Sequence, residues 1–278
     1  MPDEAACPLC GEQKTEPVWV GNLSARHHLG GHLDPVRTWG RCADCGLTRV
    51  ERPAPPAALR AWRAALPPSA ATPPGADQAH LAMDLHEGLL QRIRGVGHGA
   101  GWLRGPGTGP RLLEVGSGWG EFLAAASWRG FDAVGVEADA AQARWARQHL
   151  GVDARGADEL EGLPEGRFDV IVWRPSIDAA PDPVGLLADL GAHLQPDGLL
   201  VLSVPLIDHP VHRLRGAEDP LWWAPERRSW FDRRSLARAL LQAGLQPEGT
   251  WHQPAAPGAA LIIARGPAVE ADAAPAAR

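Results

Sequence analysis

Residues 111–120 read Arg-Leu-Leu-Glu-Val-Gly-Ser-Gly-Trp-Gly, and this stretch decides the fold. An apolar run ends at Glu114, three glycines follow at alternate positions, and the sequence after Gly120 opens a helical pattern. A strand, a glycine loop and a helix in succession allow a ligand to lie against bare backbone. The spacing G-x-G-x-G differs from the G-x-G-x-x-G of dinucleotide-binding folds. The carboxylate before the loop would repel a phosphate, so we expect a ligand that carries a positive ammonium group.

Apolar strands and amphipathic helices alternate after this loop, which predicts an α/β fold with a doubly wound, Rossmann-like sheet. Ligands bind to such sheets beyond the carboxyl ends of the strands, where the strand order reverses. Glu137 ends the second of these strands, where a carboxylate can accept from both ribose hydroxyls. The predicted strands are 112–115, 133–136, 170–173, 199–204 and 261–263, and the predicted helices are 121–129, 140–150, 184–194 and 233–243.

All four cysteines lie near the start of the chain, in two Cys-x-x-Cys-Gly pairs. Two residues between cysteines place both sulfurs on one side of a tight turn, and two such turns make a tetrahedral zinc site. Four thiolates close the metal's coordination shell, which favours a structural zinc over a catalytic one. Four unrelated thiols or two disulfides are the alternatives, and a reducing compartment disfavours disulfides. The predicted ligands are Cys7, Cys10, Cys42 and Cys45.

Three histidines, His27, His28 and His32, lie between the two pairs. They are surface residues in the simplest interpretation, but they can also replace a metal ligand or face a substrate. We expect a small zinc-ribbon-like domain at residues 1–50, a proline- and alanine-rich linker at 51–77, the main domain at 78–265 and a disordered tail at 266–278. A short helix at 59–66 interrupts the predicted linker, and the main domain opens with a helix within 78–94.

Composition limits the classes of partner. The 278 residues carry a formal net charge of -6, which argues against nucleic acid, and the first fifty residues have no Lys/Arg stripe. No apolar run approaches the ~18 residues of a membrane span, and the acidic start does not resemble a signal peptide. We therefore expect a cytoplasmic protein.

The stretch Leu-Leu-Glu-Val-Gly-Ser-Gly-Trp-Gly with the later Gly-Val-Glu-Ala-Asp resembles motif I and the second-strand acid of class I S-adenosylmethionine-dependent methyltransferases. Phe168-Asp-Val-Ile-Val resembles their fourth strand, and Leu194-Gln-Pro-Asp-Gly resembles the turn into the fifth. The resemblance covers roughly residues 80–265. The four-cysteine module before this fold resembles a bacterial subgroup that methylates sugars and other small metabolites.

The resemblance implies that Glu114 lies near the ammonium of S-adenosylmethionine and that Glu137 binds its ribose. It places Ala157 or Asp158 at the adenine edge, and Trp119 as a cover for the methyl donor. Trp173 and Arg174 would line the mouth between cofactor and substrate. The cofactor-binding residues predicted in this way are Glu114, Gly116, Ser117, Gly118, Trp119, Gly120, Glu137, Ala138, Ala157, Asp158, Trp173 and Arg174.

One segment departs from the pattern of the resembled family. Many relatives carry a His-Val-Leu-Glu-His-like segment after the fourth strand, whereas residues 174–179 here read Arg-Pro-Ser-Ile-Asp-Ala. If the histidine accepts a proton in those relatives, this chain needs another group or none. The candidates are His209 and His212, which follow the fifth strand, and Asp178.

The long segment 205–232 combines tryptophans with arginines, which can stack on a flat ring or sugar and bind an anion. A loop of this length is usually functional, so we expect it to set substrate choice, although its tryptophans can equally serve to pack it onto the sheet. The sequence thus favours a methyltransferase of a small molecule. An rRNA or tRNA methyltransferase that grips RNA with its zinc module, and a catalytically weak cofactor-binding scaffold, are the alternatives. The sequence does not determine the oligomeric state.

Overall fold

The computed structural model describes residues 6–66, 73–74, 86–97, 109–156, 159, 162–174, 177–252 and 259–266. Residues 67–72 and 75–77 of the predicted linker, and the predicted tail after residue 266, therefore lie outside the described residues. The described strands are β1 (Thr15–Asn22), β2 (Val36–Cys42), β3 (Thr48–Val50), β4 (Arg111–Val115), β5 (Asp132–Glu137), β6 (Asp153–Gly156), β7 (Phe168–Trp173), β8 (Leu194–Pro205), β9 (Ser229–Trp230), β10 (Gln246–His252) and β11 (Ala259–Arg265). The described α-helices are α1 (Pro56–Ala65), α2 (Glu87–Gly97), α3 (Glu121–Trp128), α4 (Ala140–Leu150), α5 (Pro183–Ala192), α6 (Pro210–Arg215) and α7 (Arg233–Gln242).

The larger sheet has seven strands in the order β10-β11-β8-β7-β4-β5-β6. Strands β4 to β8 in this sheet run parallel, and β11 and β10 add antiparallel strands at one edge. The chain moves from β4 outward to β6 and then returns to β7 on the other side. The strand order thus reverses beside β4, which confirms the predicted doubly wound sheet and places its crevice at the glycine loop.

Both faces of this sheet are covered, because its central strands are apolar on both sides. Alternate residues of β7 and β8 belong to two different apolar clusters, one on each face. Helices α2 and α3 pack on one face, and α5 and α7 pack on the other. Aspartates fix the starts of three helices, because Asp139, Asp182 and Asp232 accept hydrogen bonds from the first-turn N–H groups of α4, α5 and α7.

Strand β8 begins five residues earlier than the predicted strand 199–204. Leu194 already pairs with Phe168, and a shift of register between Phe168 and Val170 absorbs the turn. Asp197 lies at this turn with a φ of 59°. The turn that the sequence predicts before the strand 199–204 is therefore an irregularity within the longer strand β8.

The smaller sheet has four antiparallel strands in the order β1-β2-β3-β9. Three come from residues 15–50, but β9 comes from the segment between β8 and α7, where Thr48 pairs with Trp230 and Arg49 with Ser229. The N-terminal module is thus joined to the main domain by a shared sheet. No helix among the described residues has the length and apolar character needed to span a bilayer.

Candidate functional site

The glycine loop between β4 and α3 requires its glycines. Gly116, Gly118 and Gly120 have φ angles of 77°, 55° and 85°, a region that side chains with a Cβ rarely adopt. The N–H groups of Gly116 and Ser117 both donate to the Val136 carbonyl, at 2.7 and 3.2 Å, so the loop is anchored to the end of β5. A Cβ at Gly118 would meet only a Gln142 side-chain oxygen at 3.7 Å. This glycine therefore has open space around it within the protein.

Glu137 ties the loop to the second strand. Its Oε2 accepts the Gly118 N–H at 2.8 Å, and its Oε1 accepts the Asp139 N–H at 3.0 Å. Each carboxylate oxygen has a second lone pair, so the group retains the capacity to accept from hydroxyls. Ala138, another predicted cofactor-binding residue, is exposed beside it. The loop and this carboxylate form one connected rim at the carboxyl ends of β4 and β5.

Glu114 is buried at the end of β4, with 1% of its side chain exposed. Its Oε1 accepts a hydrogen bond from Nε of Arg174 at 2.9 Å, whereas its Oε2 is buried and has no hydrogen-bond partner among the described residues. Burial raises the pKa of the Glu114 carboxyl to about 7, against the opposing effect of the Arg174 charge. The end of β4 therefore holds one carboxylate oxygen that is available for a cation.

Arg174 lies between this carboxylate and an aromatic ring. Its Cζ is 4.9 Å from the ring centroid of Phe122 in α3, and its N–H donates to the Val115 carbonyl at 2.9 Å. His86 contacts the same ring edge to face, with centroids 5.3 Å apart. Burial, with a further contribution from Arg174, lowers the pKa of His86 to about 4. No sequence motif identifies His86, because the Glu114–Arg174 pair beside it joins residues that are 60 positions apart in the chain.

Three more of the predicted cofactor-binding residues, Ser117, Trp119 and Trp173, are described by the structure, and two are not. Trp119 packs edge to face on Trp145 of α4, with ring centroids 5.4 Å apart. Ser117 Oγ and Trp173 Nε1 are buried and have no hydrogen-bond partner among the described residues. Ala157 and Asp158, predicted at the adenine edge, lie outside the described residues.

The three candidate proton acceptors differ in their partners. The buried carboxylate of Asp178 forms an ion pair with Arg227, and burial raises its pKa to about 6. His209 is the N-cap of α6, where its Nδ1 accepts from the Val211 N–H at 3.3 Å. His212 Nδ1 lies 2.7 Å from the buried Asp219 Oδ2. A carboxylate at Nδ1 holds the proton there and makes Nε2 the basic nitrogen of His212.

Residues 206–232, which we call the β8–α7 segment, are held against the N-terminal sheet by polar contacts. Arg37 of β2 is buried and donates to the carbonyls of Ala224, Pro225 and Arg227. The Arg228 N–H donates to the Asp178 carbonyl at 2.8 Å, next to the Asp178–Arg227 pair. The segment is thus fixed both to the module and to the loop after β7.

Tryptophans fill the contact between the segment and the N-terminal sheet. Trp222 stacks on Trp230 at 5.6 Å, and Trp39 meets both rings edge to face. Beside them a cavity of about 320 Å³ is lined by Trp19, Trp222, Ile207, His212, Arg41 and Arg213, among others. The tryptophans therefore pack the segment, as one interpretation of the sequence predicts, and Trp222 also faces a cavity.

A larger cavity, of about 630 Å³, lies elsewhere. Its lining includes Arg111, Asp132 and Asp153, which begin β4, β5 and β6. This is the amino end of the parallel strands, opposite the edge where ligands of such sheets bind. Four of its charged residues pair with one another, Arg155 with Asp153 at 2.6 Å and Arg111 with Asp132 at 3.7 Å, and we assign no site to it.

The four cysteines converge. Their sulfur atoms all lie within 4.8 Å of one another, with Cys7 and Cys45 3.5 Å apart and Cys10 and Cys42 3.4 Å apart. Tetrahedral zinc with Zn–S bonds of about 2.3 Å requires sulfurs about this close, so the cluster fits the predicted metal. Gly11 and Gly46 follow the two pairs with φ angles of 74° and 77°. His27, His28 and His32 are not members of this cluster.

A family model described as "Methyltransferase domain" matches residues 76–248. The chain is 28% identical over 166 residues to ubiquinone biosynthesis O-methyltransferase of Bordetella bronchiseptica, which covers 54% of this chain and 68% of the relative. It is 35% identical over 114 residues to trans-aconitate 2-methyltransferase of an Azoarcus species, covering 40% of this chain and 45% of that protein. Among solved structures, a Mesorhizobium loti S-adenosylmethionine-dependent methyltransferase has a TM-score of 0.47 at 18% identity, covering 66% of this chain and 99% of its own.

Proposed function

Because the chain belongs to the methyltransferase domain family, we propose that this S-adenosylmethionine-dependent methyltransferase acts on a small molecule, such as a sugar or another metabolite. The observation that carries the proposal is the buried Oε2 of Glu114, which has no partner among the described residues and lies directly before the glycine loop. Two relatives named as O-methyltransferase and trans-aconitate methyltransferase support a small-molecule acceptor. The net charge of -6 also argues against RNA.

The residues present fit the cofactor. A buried carboxylate oxygen suits an ammonium group, the loop at Gly118 leaves room for close approach, and Glu137 can accept from ribose hydroxyls. S-adenosylmethionine supplies an electrophilic methyl group on a sulfonium when it is bound. The chain's task is to orient the acceptor in line with that methyl group and to exclude water, which together can contribute ~7–11 kcal/mol.

His212 is the strongest of the three candidate proton acceptors. Asp219 orients its ring and fixes its tautomer, as a base that must present one nitrogen requires. Asp178 is engaged by Arg227, so we assign it to holding the β8–α7 segment rather than to proton transfer. His209 already uses Nδ1 as the cap of α6. A base is needed only for a poorly ionised hydroxyl or a carbon acid.

The β8–α7 segment is proposed to set acceptor choice. The lining of the cavity at Trp222 combines aromatic and aliphatic side chains with the guanidinium groups of Arg41 and Arg213. Such a lining suits a flat or sugar-like molecule that carries an anionic group. Because Trp19 and Arg41 belong to the N-terminal sheet, the module would form part of the acceptor site.

The four cysteines are proposed to hold a structural Zn²⁺. Four thiolate ligands leave no open position, so the metal would act through folding and not through chemistry. The four clustered thiols support a reducing compartment such as the cytoplasm.

The test begins with titration calorimetry of S-adenosylmethionine against the purified protein. Gly118→Ala and Gly151→Ala place the same methyl group on a left-handed backbone, but only Gly118 lies in the loop. We expect binding to be lost in Gly118→Ala and retained in Gly151→Ala. Equal behaviour of the two variants, or an unaltered protein that does not bind the cofactor, would contradict the proposed site.

The acceptor class is tested by methyl transfer from labelled cofactor to fractionated cell extract. Label in the small-molecule fraction is expected. Label in the RNA fraction would favour the RNA methyltransferase, and cofactor binding with no transfer to any fraction would favour a scaffold.

A further inference from the structure

The hydrogen bond between Glu114 and Arg174 uses only one polar atom of each side chain. Glu114 contributes Oε1 to the pair and keeps Oε2 without a partner among the described residues. Arg174 contributes Nε, so its two terminal nitrogens are not part of this hydrogen bond. A carboxylate oxygen and a guanidinium edge therefore lie side by side at the end of β4.

This juxtaposition matches the amino-acid end of the cofactor, which carries an ammonium and a carboxylate on the same carbon atom. We propose that Glu114 and Arg174 act together as a clamp for that end, with Oε2 binding the ammonium and the terminal nitrogens of Arg174 binding the carboxylate. The inference rests on the proposed function and extends it, because it assigns Arg174 to the carboxylate of the cofactor, whereas the sequence places it only at the mouth between cofactor and substrate.

Neighbouring contacts hold the arginine in place for this role. The Phe122 ring supports its guanidinium face, and the backbone N–H of Arg174 is fixed to Val115. His86 packs against the same Phe122 ring and, with its lowered pKa, does not add a second positive charge near neutral pH. A planar guanidinium with two terminal N–H groups binds a carboxylate in a bidentate manner, which a lysine at the same position cannot reproduce.

The test compares S-adenosylmethionine with its decarboxylated analogue, which lacks only the carboxylate. We expect the unaltered protein to bind S-adenosylmethionine about ten- to a hundredfold more tightly than the analogue. In Arg174→Gln this preference should collapse to within about threefold, because the affinity for the cofactor falls by a larger factor than the affinity for the analogue, which depends on Glu114 alone. Arg174→Lys should recover only part of the preference.

Arg155→Gln is the matched control, because Arg155 also pairs with a carboxylate, Asp153, but at the start of β6. It should leave both affinities unchanged, and thermal melting checks that each variant is folded. The clamp is overturned by equal affinity of the unaltered protein for the two ligands, by an equal loss of both in Arg174→Gln, or by a gain in cofactor affinity in that variant. Binding of neither ligand by the unaltered protein would overturn the proposed function itself, and the clamp with it.

Discussion

Glu114 is the residue at which cofactor binding should depend most steeply on pH. The charged groups that face it are Arg174, Glu121 and Glu137, and burial outweighs the Arg174 charge to raise its pKa to about 7. An ammonium binds only the ionised carboxylate, so protonation of Glu114 competes with the cofactor. We expect affinity for S-adenosylmethionine to fall about tenfold per pH unit below pH 7. Above about pH 8 the cofactor's own amino group loses its proton, so the profile should have two limbs.

Titration calorimetry between pH 5.5 and 9 measures this profile. Glu114→Gln should bind weakly and lose the acid limb, whereas Glu137→Gln should bind weakly and keep it. An acid limb that persists in Glu114→Gln would assign the titration to another group.

Substitution of His212 should lower the rate of turnover without weakening the binding of S-adenosylmethionine. Replacing it with Asn removes the basic nitrogen that Asp219 orients, and a lost general base typically costs ~10²–10⁴ in kcat. Cofactor affinity should remain within about threefold, since the proposed role is confined to the acceptor. Asp219→Asn should lower kcat by a smaller factor, because it disturbs the tautomer of His212 without removing the ring.

His193→Asn is the control for this prediction, since its Nδ1 also lies near an oxygen, the Asp189 carbonyl at 2.8 Å, but at the end of α5. Its kcat should match that of the unaltered protein. A His212→Asn variant with normal kcat over the whole pH range would show that the acceptor needs no base from this residue.

At the scale of elements, we propose that the tryptophans of the β8–α7 segment both pack the segment and recognise the acceptor. Trp222 stacks on Trp230 and faces the cavity of about 320 Å³. Trp222→Ala should raise the KM for the acceptor at least about tenfold, because an aromatic contact and its buried area are lost. The dissociation constant for S-adenosylmethionine should stay within about threefold, since the glycine loop is untouched.

Trp128→Ala is the matched control, because Trp128 ends α3 and is 70% exposed. Trp222→Phe keeps an aromatic ring and should fall between the alanine variant and the unaltered protein, which separates recognition from loss of folding. Equal losses of acceptor and cofactor binding in Trp222→Ala would contradict the division of roles.

At the scale of the whole molecule, the sequence predicts what is encoded locally. The left-handed glycines, Glu137 at a strand end and the two Cys-x-x-Cys pairs each depend on residues that are close in the chain, so spacing alone identifies them. The pairing of Thr48 with Trp230 cannot be predicted in this way. A periodic pattern shows which side of a strand is apolar, but not which distant strand it pairs with. For the same reason, the sequence predicts that Arg174 and Glu114 lie at the same edge of the sheet, but it does not predict the hydrogen bond between them.

The joined architecture predicts a graded response to metal removal. Cys7, Cys42 and Cys45 belong to the same apolar cluster as Phe231 and residues of α7, and Gln242 of α7 donates to the Leu9 carbonyl at 2.9 Å. A structural zinc contributes ~10–16 kcal/mol to the folding of a small module, so without it the N-terminal sheet should lose its order. Strand β9 and the Arg37 contacts would then no longer hold the β8–α7 segment.

We therefore expect removal of zinc by a thiol-reactive mercurial with a chelator, or Cys10→Ser, to lower the melting temperature and abolish turnover. S-adenosylmethionine should still bind within about threefold of its original affinity, because the loop and Glu137 depend on β4 and β5 and not on the module. Metal analysis by mass spectrometry establishes the starting content and its loss. Turnover that survives verified removal would separate the module from the acceptor site. Loss of both cofactor binding and turnover would instead mean that zinc supports the fold of the whole chain. Detachment of the β8–α7 segment alone would leave the crevice at β4 intact and able to bind the cofactor.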